Sequence, residues 1–360
     1  MSTDIIVPGA DAPEREVVES PEGRSTRIAA GILLALLGVL LVVMAFTANP
    51  TGNIALSDAF ADVQLPTIEV PGPPLLLVFA LFTLAAGAVF LIGRLPKGLR
   101  TAAGVIAGLS ILAGFVVWAA SSSTVPFTLM SQLNLTLAYS TPLLFGVLAG
   151  VLSERAGVVN IAIEGQFLAA AFAASVMFSI TQSSGWFSVP QSFLASLMAA
   201  AVAGLLMGAV LALFTLKYLV DHVIVGVVVN LLATGLTGFI FQQLVARDSK
   251  IFGTVSPMPV FAVPALSDIP FIGPILFTQR PLTFMALLAV PLVWFLLYRT
   301  KWGLRVRAVG EHPQAADTVG IKVISTKTQA VLLGGIFAGL GGAYFTVGFG
   351  GAFQGNKITA

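Results

Sequence analysis

The chain has 360 residues, 57% hydrophobic and only 9% charged, with a mean hydropathy of +0.97. A soluble domain is closer to about 25% charged, so most of this chain is solvated by lipid; the net charge of +2 says little, and no nucleic acid polymer is expected as a partner. With no cysteine and only two histidines, His222 and His312, disulfides and thiol nucleophiles are excluded and a histidine metal cluster is not expected.

Residues 1–27 are polar, acidic and proline-containing, and read as a disordered cytoplasmic tail. They do not read as a cleavable signal peptide, which starts basic and reaches its apolar core sooner. A spanning helix needs about 20 mostly apolar residues. Nine segments qualify: about 28–48, 73–93, 101–121, 131–152, 158–180, 191–216, 222–245, 281–299 and 328–350. Lipid offers backbone groups no partner, so the expected fold class is an all-α polytopic bundle. The alternating ten-residue strands of a membrane β-barrel are absent from the pattern.

Lysine and arginine set the orientation. With the N-terminus cytoplasmic, 14 of the 18 basic residues fall in inner segments; Arg247, Lys250, Arg280 and Lys357 are the four outside. The loop 246–280 is then outer and rich in Pro and Gly. The loop 49–72 is outer and acidic, and the loop 300–327 is inner, basic and polar.

The stretch "SERAGVVNIAIEGQ", 153–166, places Glu154, Arg155 and Glu164 between two very apolar runs. Glu154 and Arg155 suit a solvated turn, with Gly157 freeing the backbone. Asn160, Glu164 and Gln166 fall in the next helix or in a broken start to it. A carboxylate at that depth is costly and faces a cavity or a partner. Residues 160 and 164 share a helical face, and 166 points elsewhere. Glycine-interrupted helices with polar side chains are how transporters build sites at depth. Asn160, Glu164 and Gln166 are therefore substrate-pathway candidates, with bracing of neighbouring helices as the competing role.

Asn230, mid-helix, joins that set, against an interhelical hydrogen bond. Asp221 suits a helix N-cap. The glycines of 334–342 suit close helix packing, with gating as the alternative. "GVLAG" (146–150) and "GIFAG" (335–339) echo each other faintly, as the halves of a transporter do. No phosphate-binding loop and no H-E-x-x-H sequence occurs. No catalytic residue, cofactor or metal is expected.

"TPLLFGVLAGVLSERAGVVNIAIEGQ" (141–166), "VIVGVVVNLLATGLTGFIF" (223–241), "TKWGLRVRAVGEHPQAADTVGIKV" (300–323) and "LLGGIFAGLGGAYFTVGFGGAF" (332–353) occur in that order. Together they resemble the permease subunits of bacterial nucleoside and simple-sugar ABC importers, which belong with the branched-chain amino acid and ribose permeases. The resemblance covers about 131–353. It implies an N-terminal extension of three transmembrane helices over 28–125 and a permease core over 126–360. Family members continue further, so a core truncated at the C-terminus is expected.

The resemblance also implies that the polar stretch is the break in a discontinuous helix pair beside the pathway. It implies a plasma-membrane location in a bacterium. The implied partners are an ABC ATPase subunit, a second permease subunit in a heterodimer, an extracytoplasmic solute-binding lipoprotein and a small-molecule solute. ATP hydrolysis then belongs to the separate subunit, and this chain is no enzyme.

Within the loop 300–327, the segment 310–321 is expected to dock on the ATPase. Gly310 and Pro313 form a turn, Pro313 opens a short helix, and Gly320 ends it. Ala315 and Ala316 are small enough for a shallow groove, with Val319 one turn on from Ala315. Glu311 and Asp317 are placed to meet basic residues of a partner. An ion-coupled secondary transporter is the second reading; it has no need of so long a helix-forming inner loop. A membrane-embedded enzyme is a third, and the chain offers no convergent set of residues for it.

Overall fold

The computed structural model describes residues 21–58, 64–92, 95–252, 255–349, 351 and 353. Among these, nine helices are long and apolar enough to cross a membrane. They correspond one for one to the nine expected segments. The expected tail falls outside the described residues over 1–20, and its last seven residues are helical: α1 runs Pro21–Thr47, with proline at the position where a missing N–H costs nothing.

The chain divides into two compact units, residues 1–132 and 133–360. The first holds α1, strand β1 (Thr51–Ala55), strand β2 (Thr67–Pro71), α2 (Gly72–Ile92), α3 (Lys97–Ser122) and the short strand β3 (Phe127–Thr128). Leu41, Ala45, Leu76, Ala80 and Val117 form its core. Gly87 lets α2 approach the α1 backbone at Ala35. The strands were not expected. β1 pairs antiparallel with β2, Ile54 opposite Ile68, and parallel with β3. The β-branched alternation of "TIEVP" carries them, in a loop that hydropathy marks only as polar.

The second unit begins within α4 (Leu129–Arg155) and continues through α5 (Ile163–Ser184), α6 (Val189–Ala212) and α7 (His222–Arg247). A short helix α8 (Ser249–Phe252) and the two-residue strands β4 (Phe261–Ala262) and β5 (Thr278–Gln279) follow. Then come α9 (Pro281–Arg299), α10 (Lys301–Glu311), α11 (Pro313–Thr318) and α12 (Val323–Ala343). π-helical turns extend α6 over Leu213–Lys217 and α12 over Tyr344–Gly348.

The glycine-rich α12 is the most buried of the spans. Ala200, Gly204 and Gly208 of α6 face Gly339, Gly335 and Val331 of α12, running antiparallel. A Cβ on Gly335 would lie 2.6 Å from the Gly204 carbonyl oxygen, and one on Gly334 would lie 2.8 Å from that of Ala149 in α4. Small residues here let backbones touch, and dispersion then replaces the hydrophobic effect that lipid cannot supply. The close-packing reading of these glycines holds.

Two further helix starts differ by five residues from the expected ones. The helix expected at 328–350 begins at Val323, because the hydroxyls of Thr326 and Thr328 bond back to the carbonyls of Lys322 (2.9 Å) and Ile324 (2.8 Å). A polar run thus becomes self-satisfied helix. The helix expected from 158 begins only at Ile163, for a reason that lies in the break itself.

Candidate functional site

The end of α4 closes on a Schellman motif. Gly157 takes φ +74°, the Val158 N–H bonds to the Ser153 carbonyl at 3.0 Å, and the Gly157 N–H bonds to that of Glu154 at 2.9 Å. Glu154 and Arg155 are exposed, as a solvated turn requires. The chain then stays out of helix as far as Ala162. Asn160 is buried in this break, and its Oδ1 accepts the Ala162 N–H at 3.1 Å. That local bond competes with helix and delays α5 to Ile163.

The Asn160 Nδ2 donates to Gln166 Oε1 at 3.2 Å. Gln166 is fully buried, and its own amide nitrogen has no hydrogen-bond partner among the described residues. It faces Gly208 of α6, where a Cβ would be 3.7 Å away. Helical spacing pairs 160 with 164 and sets 166 apart. The structure does the reverse, because residue 160 lies outside the helix and its periodicity. Glu164 sits in the first turn of α5, exposed on this chain, where a carboxylate is favoured by the helix dipole.

One face of α7 braces the break at three levels. His222 Nδ1 accepts the Val159 N–H at 3.2 Å, which requires that nitrogen to be the unprotonated one. Gly226 abuts Ile161, where a Cβ would meet the Ile161 Cβ at 2.7 Å. Asn230 Oδ1 accepts the Gly165 N–H at 2.8 Å, and its Nδ2 donates to the Ile161 carbonyl at 3.1 Å. Asn230 thereby caps a donor that the start of α5 leaves unpaired. Asp221 caps α7 itself, accepting from Val223 at 2.8 Å and Ile224 at 3.3 Å. Sequence reasoning missed His222 and Gly226; their spacing of eight and four from Asn230 is the signal that marks the face.

The break also touches the polar segment 300–327. Gly310 is not in a turn, as expected, but in the last turn of α10. Its Cα side lies on the α4 terminus, so that a Cβ there would collide with the Arg155 carbonyl oxygen. A Cβ on Gly157 would in turn lie 3.2 Å from the Gly310 carbonyl oxygen. α10 itself is capped by Thr300, which accepts the Gly303 N–H at 3.0 Å.

α11 follows with Pro313 as its first residue. Gly320 takes φ +82° and closes a second Schellman motif: Ile321 N–H to the Ala316 carbonyl at 3.1 Å, Gly320 N–H to that of Asp317 at 2.9 Å. Glu311, Ala315, Asp317 and Val319 are exposed. Ala316 is only 4% exposed. It is packed inside this chain, where α11 meets α10 and α12, and is not available to a partner's groove. The outward side is Ala315 and Val319.

Among the described residues, no three acidic, histidine or cysteine side chains cluster as a metal site. A broken helix pair, braced by neutral polar side chains and joined backbone to backbone to the polar helix α10, suits conformational work. Residues 132–358 match the family described as the branched-chain amino acid transport system / permease component.

The chain belongs to this permease family. The permease is 40% identical over 223 residues to the nucleoside ABC transporter permease NupC of Lactococcus lactis, covering 62% of this chain and 69% of that protein. It is 39% identical over 218 residues to the guanosine ABC transporter permease NupQ of Bacillus subtilis, covering 58% and 65% respectively. It is 36% identical over 219 residues to the putative glucose ABC transporter permease TsgC13 of Haloferax volcanii, covering 60% and 63%. The matches thus span about two thirds of the length of these relatives. No solved structure matches. The permease is a multi-pass protein of the plasma membrane, a transport component and not a catalyst.

Proposed function

We propose that this permease is the membrane-spanning subunit of an ATP-driven importer of nucleosides. The names of the relatives from L. lactis and B. subtilis support the solute class. The ion-coupled carrier is not favoured, since all three similar proteins are ABC permeases by name.

The reading needs an ATPase subunit that hydrolyses ATP, a solute-binding lipoprotein outside, and a second permease subunit. B. subtilis has two guanosine permeases similar to this chain, NupQ and NupP, which supports a heterodimer. The N-terminus is cytoplasmic in this reading. Residues 28–125 are an extension, and 126–360 are the transport core with its coupling loop at 300–327.

The observation that carries the mechanism is the contact of Gly310 with the end of α4. α11 docks on the ATPase through Ala315, Val319, Glu311 and Asp317. Ala316 seats it on the bundle, while Pro313 and Gly320 delimit it. A push on α11 moves α10, and α10 bears on the α4 terminus through Gly310. The break between α4 and α5 then shifts, and with it Asn160, Glu164, Gln166 and Asn230 beside the pathway. The test is co-expression with an ATPase, a second permease and a binding lipoprotein, followed by uptake of labelled guanosine into proteoliposomes. ATP-dependent uptake is expected. Uptake driven by an ion gradient without ATP would overturn the reading.

A further inference from the structure

In the half of α4 away from the break, three side chains from three elements converge on Phe349. The Tyr139 ring of α4 meets it edge-on at 5.3 Å between centroids. The Tyr344 ring lies parallel to it, 3° apart in plane, at 6.3 Å. The Arg280 guanidinium, at the N-cap of α9, stands over its face at 5.8 Å and is held by a hydrogen bond from Nη1 to the Met258 carbonyl. Met258 is itself tied to the π-helical turn by its N–H, which bonds to the Val347 carbonyl at 2.7 Å.

Tyrosines at the membrane interface usually keep an apolar ring in lipid and a hydroxyl among headgroups. Tyr344 does not fit that role. It is 2% exposed, and its hydroxyl has no hydrogen-bond partner among the described residues, whereas a buried tyrosine hydroxyl normally finds one. Tyr139, by contrast, is 60% exposed and Phe349 is half-buried, so the cluster opens on the Tyr139 side. Four further donors of the guanidinium remain beyond the one given to Met258. Flat aromatic faces bind any planar ring by stacking, and a guanidinium adds donors and a cation–π term.

We propose that Tyr139, Tyr344, Phe349 and Arg280 form a stacking site for the planar ring of the transported solute, a nucleobase. The proposal rests on the nucleoside reading above and assigns that solute a binding station. The ring stacks on Phe349, which the parallel Tyr344 ring backs and the Tyr139 ring edges, and Arg280 donates to its carbonyl or ring-nitrogen acceptors.

The test is uptake by the complete transporter in proteoliposomes, measured for one purine and one pyrimidine nucleoside at equal concentrations well below saturation. Loss of packing slows both solutes alike, whereas loss of a stacking face penalises the larger ring more. Phe349→Leu is expected to lower the purine-to-pyrimidine rate ratio at least fivefold, and Phe349→Trp to restore it to within twofold of wild type. Should Phe349→Leu fail to reach the membrane, Tyr139→Leu, at an exposed position, is expected to lower the ratio at least twofold. An unchanged ratio in the variants, with nucleoside uptake intact in wild type, overturns the stacking site alone. A wild-type transporter that takes up neither nucleoside overturns the nucleoside reading, and the site with it.

Discussion

Gly310 of α10 and Gly157 beyond α4 meet backbone to backbone, with 3.2 Å between the Gly310 carbonyl oxygen and the position a Cβ on Gly157 would take. Gly310 has no room for a side chain, and a Cβ on Gly157 would press on Gly310 at a residue that also needs its φ of +74°. Through this contact the polar helix α10 bears directly on the end of the broken helix pair.

Gly310→Ala is therefore expected to force α10 off the α4 terminus and cut uptake at least tenfold. Gly320→Ala is the comparison: φ is +82° there, but nothing lies within 4 Å of an added Cβ. It carries only the left-handed backbone cost of about 1–2 kcal/mol. Uptake rates normalised to the amount of folded protein separate the two; equal losses would show that the glycine contact transmits nothing.

Asn230 offers a graded test of the brace. Asn230→Ala leaves the Gly165 N–H and the Ile161 carbonyl without their partner, an expected loss of about 1–3 kcal/mol. Asn230→Asp keeps an acceptor for the Gly165 N–H and loses only the donor to Ile161. Thermal unfolding in detergent is expected to rank wild type above Asp above Ala.

The spans were legible because lipid imposes one rule on every residue in them, and hydropathy reads that rule directly. α11 was legible for a different reason: Pro313 and Gly320 act locally, each within its own turn. The break was only partly so. Gly157 and Asn160 mark it, but Asn160 pairs with Gln166 only because the chain there is not helical, and a helical wheel cannot show that. α10 was hidden because its basic face fails a hydropathy test. Its anchors, Gly303 against the end of α9 and Gly310 against the end of α4, are tertiary contacts. Ala316 reads as outward by size alone, and only the packing of α11 reveals that it is inside.

Glu164 separates transport from folding. Exposed in the first turn of α5, it holds up no packing. Glu164→Gln is expected to reduce uptake several-fold while leaving the unfolding temperature within about 2 °C of wild type, since the dipole term it weakens is roughly 0.3–1 kcal/mol. Wild-type uptake by Glu164→Leu would remove the residue from the pathway.

Orientation is testable because the chain contains no cysteine. Ser256 is exposed in the segment between α8 and β4. Ser256→Cys is expected to react with a membrane-impermeant maleimide in intact cells. Labelling only after permeabilisation would invert every span.

The central claim is that α11 receives the work of ATP hydrolysis. Ala315 is exposed on its outward side, so Ala315→Arg leaves the bundle packed, whereas Ala316→Glu buries a charge and is expected to lower the amount of folded protein. The decisive measurement is made on Ala315→Arg in the reconstituted transporter, reading ATPase co-purification and ATP-dependent guanosine uptake in the same preparation. The account predicts that both fall at least tenfold together while the unfolding temperature stays at the wild-type value. Retention of the bound ATPase with full ATP-dependent uptake would contradict it.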